Sequence, residues 1–352
     1  WNIGVCLTPT PWLPVAVLGI LRAGDTCLPL EPMASRDWLL QKIEGCDVEL
    51  VLCDSFTARH FEGSQKRVLI LDQQWETVSA VPVTSATANP PKAAFFLTGT
   101  ESGSAPALPA LSPAVVAASC RKLIDLLGIE PGHRVPLLPA AGTGAYVETL
   151  LATLAGGATL VLPGKAEPIP ADSTHLRLSA AQWRTWTARC ARTETGIPDV
   201  LRSVCVEAAP FPTRIHGIWR ERNAGRARWI QYAGPAGLCG RSVRFVSEEG
   251  AEDYSGKTDV PIGDPGPGVK ARLLDPEGQP LPAHHPGTLE IVVEGKSASF
   301  PGWRDGSGVF HLSPSPFGPL EQALCGLPEI IDAHAAEVVV DPTAHDELKP
   351  VL

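Results

Sequence analysis

Short apolar runs alternate with helix-spaced ones over the first hundred residues. Asn2 to Leu7 is an apolar run of strand length. Pro14 to Arg22 sets Val15, Val17, Leu18 and Leu21 at helical spacing, with Gly24 as a stop. Thr26 to Leu30 predicts a second strand. Arg36 to Glu44 predicts a helix with Trp38, Leu39 and Ile43 on one side. Val48 to Cys53 and Arg67 to Leu71 predict two more strands. Strands and helices in this alternation imply a parallel sheet with helices on its faces. Val81 to Pro91 is rich in Pro, Thr, Ser and Ala and predicts an exposed connection.

A second α/β unit follows. Ala93 to Thr98 predicts a strand that runs into Gly99, Thr100, Glu101 and Ser102. Ser112 to Leu127 reads as a helix with Ser112 as cap and Pro113 in the first turn. Val135 to Leu138, Thr159 to Leu162 and Leu201 to Val206 predict strands, with helices over Tyr146 to Leu154 and Ala180 to Ala191. From Val243 onward the texture turns β-rich: the runs Val269 to Leu274 and Thr288 to Val293 sit between Gly/Pro turns and predict a small barrel or sheet. Phe317 to Leu324 reads as a helix and Ala335 to Val340 as a strand.

Composition narrows the class. At 352 residues the chain exceeds one ordinary core, so two or three subdomains are expected. A net charge of -9 argues against a nucleic-acid binder. The nine cysteines are odd in number and show no Cys-x-x-Cys spacing, which fits buried free thiols in a reducing cytosol better than disulfides or zinc. No apolar run reaches the ~20 residues of a membrane span, and no signal-peptide pattern opens the chain. A cytoplasmic location is the expectation. The chain starts inside an apolar run of strand length, which predicts a piece of a longer polypeptide.

Several strings, each present once, follow one another along the chain. They are Gly4 to Leu7; Ala16 to Asp25 followed by Leu28-Pro29-Leu30-Glu31-Pro32; Phe96 to Ala105; and Glu148 to Leu162 with Gly156-Gly157-Ala158. Tyr232 to Gly237, Pro261-Ile262-Gly263 with Leu274 to Pro282, and Gly287-Thr288-Leu289-Glu290-Ile291 complete the set. Together they resemble the adenylate-forming superfamily in its nonribosomal peptide synthetase branch. The resemblance implies a core of two α/β subdomains plus a small β-barrel subdomain, with a truncated α+β C-terminal subdomain. It divides the chain into a large core, residues 1–302, whose β-rich part spans about 240–300, and a truncated tail, residues 303–352. The family activity is ATP-dependent activation of an amino acid, with magnesium, followed by transfer to the phosphopantetheine arm of a neighbouring carrier protein.

The positions that the resemblance makes functional are altered. Thr98, Gly99, Thr100 and Ser102 keep part of the hydroxyl and glycine chemistry of the phosphate loop, but its terminal lysine is replaced by Ala105. The aspartate that pairs with the substrate ammonium, counted back from Glu148, falls on Thr143. Aryl and keto acid activators also lack that aspartate. Tyr232 stands where the resemblance implies a tyrosine stacked on adenine, and a structural core tyrosine is the favoured reading. The following threonine and magnesium-binding glutamate become Ala236 and Gly237. The ribose-binding aspartate is missing between Glu294 and Arg304, and the family's catalytic lysine has no counterpart before Leu352. His284-His285 between Pro282 and Pro286 reads as a solvated turn rather than a metal site.

The expectation is therefore a silent adenylation-like domain with no catalytic residue, no metal site and no cofactor of its own. It would scaffold neighbouring carrier, condensation, cyclisation or oxidase domains, with a small accessory protein as a further partner. The alternative is an active domain whose missing groups come from outside these residues.

Overall fold

Asn2–Cys6 (β1) buries Ile3, Val5 and Cys6. A strand apolar on both faces is what a sheet covered on both sides by helices requires. The computed structural model describes residues 1–82, 93–98, 110–162, 164, 169–192, 197–207, 209, 213–234, 238, 243–247, 262–265, 268–293, 296–304 and 309–312.

Trp12–Ala23 (α1) follows β1, and Gly24 closes it in the left-handed region at φ 79°. Then come Thr26–Pro29 (β2), Arg36–Gly45 (α2), Leu50–Cys53 (β3), a 3-10 turn over Ala58–Phe61, Arg67–Ile70 (β4) and Leu71–Ser79 (α3). The Ser35 hydroxyl caps α2 by accepting from the Trp38 N–H. Phe95–Phe96 (β5) and Ala110–Leu111 (β6) complete a six-stranded sheet in the order β4-β3-β1-β2-β5-β6, antiparallel only at β6. One core holds α2 against this sheet through Leu28, Leu39, Ile43 and Val51.

Pro113–Leu127 (α4) is capped by the Ser112 hydroxyl, which accepts from the Val115 N–H. Arg134–Pro136 (β7), Gly144–Ala155 (α5) and Thr159–Val161 (β8) follow. Next are His175–Leu178 (β9), Ala180–Arg192 (α6), Ser203–Glu207 (β10), Thr213–Asn223 (α7), Arg228–Ala233 (β11), Val243–Ser247 (β12) and Asp264–Pro265 (β13). Strands β9, β10 and β11 are parallel, and β12 and β13 add on antiparallel. The β7–β8 pair forms a separate two-stranded sheet, tied to the start of β9 where the Thr174 N–H donates to the Arg134 carbonyl at 2.9 Å.

The second sheet sorts its residues by alternation. Leu176, Leu178, Val204, Val206 and Trp229 face α6 and α7, where they meet Trp183, Trp186 and Trp219. Cys205, Ile230 and Tyr232 face the other way and share one core with α4, α5, α1 and the first sheet. Helices α4 and α5 thus lie between the two sheets. Lys270–Leu274 (β14), Gly287–Val293 (β15), Lys296–Arg304 (β16) and Phe310–Leu312 (β17) form an antiparallel meander with its own core of Leu273, Leu289, Ile291 and Phe310.

The sequence pattern places most of the early elements and misses α3, β6, β9, α7, β11, β12, β13, β16 and β17. Helix α1 begins at Trp12, two residues before the expected start, because Pro14 is tolerated in a first helical turn. Helix α3 follows β4 directly and is not apparent from its weak apolar pattern. Strand β9 carries His175 and Arg177 among its leucines, so it lacks the apolar run of a buried strand. Helix α7 is polar and contains Gly217, and β11 is likewise not apparent from the pattern. In the tail, β16 runs through position 302 and pairs with β17, so the small sheet continues to Leu312. The expected helix and strand after residue 313 lie outside the described residues.

Trp219 is 2% exposed and packs edge-tilted against Trp186 at 6.0 Å. Trp219→Ala should lower unfolding free energy by about 3–5 kcal/mol, read from urea unfolding. A loss below about 1 kcal/mol would mean that α7 is not docked on this sheet as described.

Candidate functional site

Thr98 ends the segment after β5, and Ala141-Gly142-Thr143 leads into α5. These two segments touch. Gly142 has φ +81°, and a Cβ there would lie 1.8 Å from Thr98 Oγ1 and 3.2 Å from the Pro29 carbonyl oxygen. Only glycine suits that backbone and that approach. The Thr98 hydroxyl donates toward the Pro29 carbonyl at 3.5 Å, and Thr98 is 4% exposed. Glu31 closes the same corner by accepting from the Ala141 N–H at 3.2 Å.

Thr143 is the N-cap of α5. Its hydroxyl accepts from the Tyr146 N–H at 3.1 Å and donates to the Ala140 carbonyl at 2.8 Å. The side chain at the position of an ammonium-pairing carboxylate therefore has a local structural task.

One turn further along α5, Glu148 is fully buried. It forms an ion pair with Arg177 of β9, itself 2% exposed, and accepts a hydrogen bond from the Ser119 hydroxyl of α4. Arg177 lies over the ring of Tyr232 on β11, 4.9 Å from its centroid, with Nε donating to the phenol oxygen at 3.4 Å. Tyr232 is 1% exposed. The ring is enclosed in the core beneath a guanidinium. The roles of Arg177 and Ser119 are not apparent from the sequence. The available signal is a charge inside a strand whose alternate residues are leucines.

A second polar chain crosses the same face. His175 Nε2 lies 3.0 Å from His133 Nδ1, and His175 Nδ1 lies 2.8 Å from the Ser203 hydroxyl. The Glu130 N–H donates to His133 Nδ1, so that nitrogen is an acceptor. His175 accordingly carries its hydrogen on Nε2 and accepts from Ser203. Burial, with His133, Arg202 and Arg228 nearby, pushes the His175 pKa down to about 3. Burial beside Arg220 pushes His216 down to about 4. At the end of the first sheet, burial raises the Asp54 carboxyl, but hydrogen bonds from Thr8 and Thr57 outweigh it and leave the pKa below the usual value.

Of the other expected site positions, Gly99, Thr100, Ser102, Ala105, Ala236 and Gly237 lie outside the described residues. Among the described residues, no three His, Cys, Asp or Glu side chains gather as a metal site. The seven described cysteines are buried and unpaired in disulfides, and burial pushes the Cys120 thiol up to about 12. No described helix is long and apolar enough to cross a membrane.

Comparison with known proteins agrees with this architecture. A family model described as AMP-binding enzyme matches residues 2–300, so the chain belongs to the AMP-binding enzyme family. Within it, the chain is an adenylation domain of the adenylate-forming superfamily. It is 24% identical over 329 residues to a linear gramicidin synthase of Brevibacillus parabrevis, covering 92% of this chain and 4% of that protein. It is 25% identical over 242 residues to the nonribosomal peptide synthetase otaB of Aspergillus carbonarius, covering 68% of this chain and 13% of that one. The chain thus spans only a small part of these curated relatives. The crystal structure of the nonribosomal peptide synthetase FmoA3 superposes with a TM-score of 0.75 at 19% identity, covering 90% of this chain and 37% of that one. The o-succinylbenzoate CoA synthetase of Bacillus subtilis, with its acyl-adenylate, superposes with a TM-score of 0.75 at 14% identity, covering 94% and 74%.

Two outcomes follow from the geometry. Gly142→Ala should destabilise by about 2–4 kcal/mol, and Thr98→Ala in that background should recover part of the loss, since it relieves the clash but not the left-handed backbone. Full recovery or none, in urea unfolding of the four proteins, would contradict the contact. His175 and His216 are held neutral, with folded pKa values below the unfolded 6.5. The unfolded chain therefore binds more protons, and stability present above about pH 6.5 is lost as pH falls toward 4. The loss should be about 2 kcal/mol per histidine between pH 7 and pH 5. His216→Phe should remove about half of that slope, and an unchanged slope would refute the assignment.

Proposed function

We propose that this domain is a catalytically silent adenylation-like domain of a nonribosomal peptide synthetase, one that positions neighbouring carrier, condensation, cyclisation or oxidase domains. The observation that carries this reading is the contact between Thr98 and Gly142. It turns the first hydroxyl of the phosphate loop inward, onto the segment that should line the acid pocket. The two described residues expected at a nucleotide, Thr98 and Tyr232, do not fit one in this arrangement, since both are enclosed. The loop's lysine and the magnesium ligand are absent from the sequence at Ala105 and Gly237. Charge-assisted bonds to phosphate and oxygen ligands for magnesium are lost together.

A specific observation favours one second reading. Thr143 is neutral, and an acid without an α-amino group brings no ammonium to neutralise. If the domain is active, its substrate is such an acid, with the missing groups supplied by other parts of the polypeptide.

ATP–pyrophosphate exchange on the full synthetase and on this domain decides between the two. We expect no exchange above background with amino acids, aryl acids or keto acids, and no thermal shift with ATP and magnesium. A ligand at one hundred times its dissociation constant would stabilise by about 2.7 kcal/mol, which melting would reveal. Ala105→Lys, Gly237→Glu and the double variant should also remain silent, because groups acting on one transition state are strongly non-additive. Exchange from Ala105→Lys alone would overturn the silent reading.

A further inference from the structure

Arg177 sits near the carboxyl end of β9, and Tyr232 near the carboxyl end of β11. In open α/β sheets, ligands bind outside the carboxyl ends of parallel strands. Here Glu148 of α5 reaches Arg177, and the N-cap of α5, Thr143, follows the Thr98–Gly142 contact in the chain. Arg177 shares its register row with Cys205 and Ile230, and Tyr232 lies one pleat further along. The Arg177 side chain therefore extends diagonally across β10 to reach Tyr232, with the small Cys205 on the strand between them. Its guanidinium finds the Glu148 carboxylate, the face of an aromatic ring and a phenol oxygen. Ser119 satisfies the other carboxylate oxygen.

That set of groups is what a protein uses to bind a guanidinium or alkylammonium ligand: a buried carboxylate for charge and a π-face for the planar cation. We propose that Glu148, Tyr232 and Ser119 form a buried cation site at the carboxyl end of the second sheet, and that Arg177 is its resident ligand, supplied by the chain itself. The proposal rests on the silent reading and deepens it by naming a charged group that the fold holds inside the second sheet. Without the Arg177 side chain the site takes a small guanidinium cation from solution.

The test compares wild type, Arg177→Ala and Arg177→Ala/Glu148→Gln in the full domain, with methylguanidinium chloride as the probe and sodium chloride at equal ionic strength as the control. Arg177→Ala should show a saturable rise in melting temperature of several degrees at millimolar methylguanidinium. Wild type, already occupied, and the double variant, lacking the carboxylate charge, should show none. An equal response in all three proteins, or no response in Arg177→Ala, overturns the site. Removing one partner of a buried ion pair is strongly destabilising. If Arg177→Ala is recovered only unfolded from ordinary buffer, soluble yield with and without the probe replaces melting. Recovery with methylguanidinium supports the site. Failure of the probe while Arg177→Met/Glu148→Leu folds overturns it. Exchange activity in wild type would refute the silent reading and leave the cation site standing. Absence of cation rescue would refute the site and leave the silent reading standing.

Discussion

The arrangement of the second α/β unit depends on one buried ion pair. Glu148 on α5 and Arg177 on β9 meet where water is excluded, with Ser119 of α4 and Tyr232 of β11 completing their contacts. Four elements from two layers therefore converge on a single charge pair. Desolvating two ions costs several kcal/mol each, and attraction in the interior repays that only when the geometry is good and the remaining polar atoms are satisfied. The pair is thus weak evidence for added stability. It is stronger evidence for register, since a slip of β9 by one residue would turn Arg177 toward the tryptophan cluster under α6 and α7.

The same face of that sheet carries a second polar chain, His133–His175–Ser203, which resolves its burial differently. Arg177 keeps its charge and is given a counter-ion. His175 gives up its charge and joins a run of neutral hydrogen bonds, with its pKa pushed down by burial and the surrounding cations. Both devices let a strand with two polar side chains on one face lie between layers of helices without leaving those groups unsatisfied.

The chain belongs to the AMP-binding enzyme family, and its fold agrees with solved adenylate-forming enzymes over most of its length. Fold and activity rest on different residues. The sheets are held by Ile3, Val5, Cys205, Ile230 and their neighbours. At the positions that the family resemblance singles out, the chain has a helix cap at Thr143, a glycine contact beside it at Gly142 and an enclosed ring at Tyr232.

Much of the architecture was legible in the sequence. The apolar runs of β1, β2 and β3, the glycine stop at Gly24, the Ser112 cap and the ordered family strings follow from local chemistry, because side-chain periodicity and capping act within a few residues. That Ala105 and Gly237 carry no charged side chain is equally local, for no fold can supply a side chain that is absent. Strand β9 and the partners of Glu148 were not legible. Arg177 lies 29 residues from Glu148 and 55 from Tyr232, and nothing in its neighbourhood states what it will meet. Long-range pairing is decided by how layers pack. Tertiary structure alone turned Arg177 inward onto a carboxylate, closed Tyr232 beneath it, and pressed Thr98 onto Gly142, since each of these contacts exists only once two distant segments occupy the same small volume.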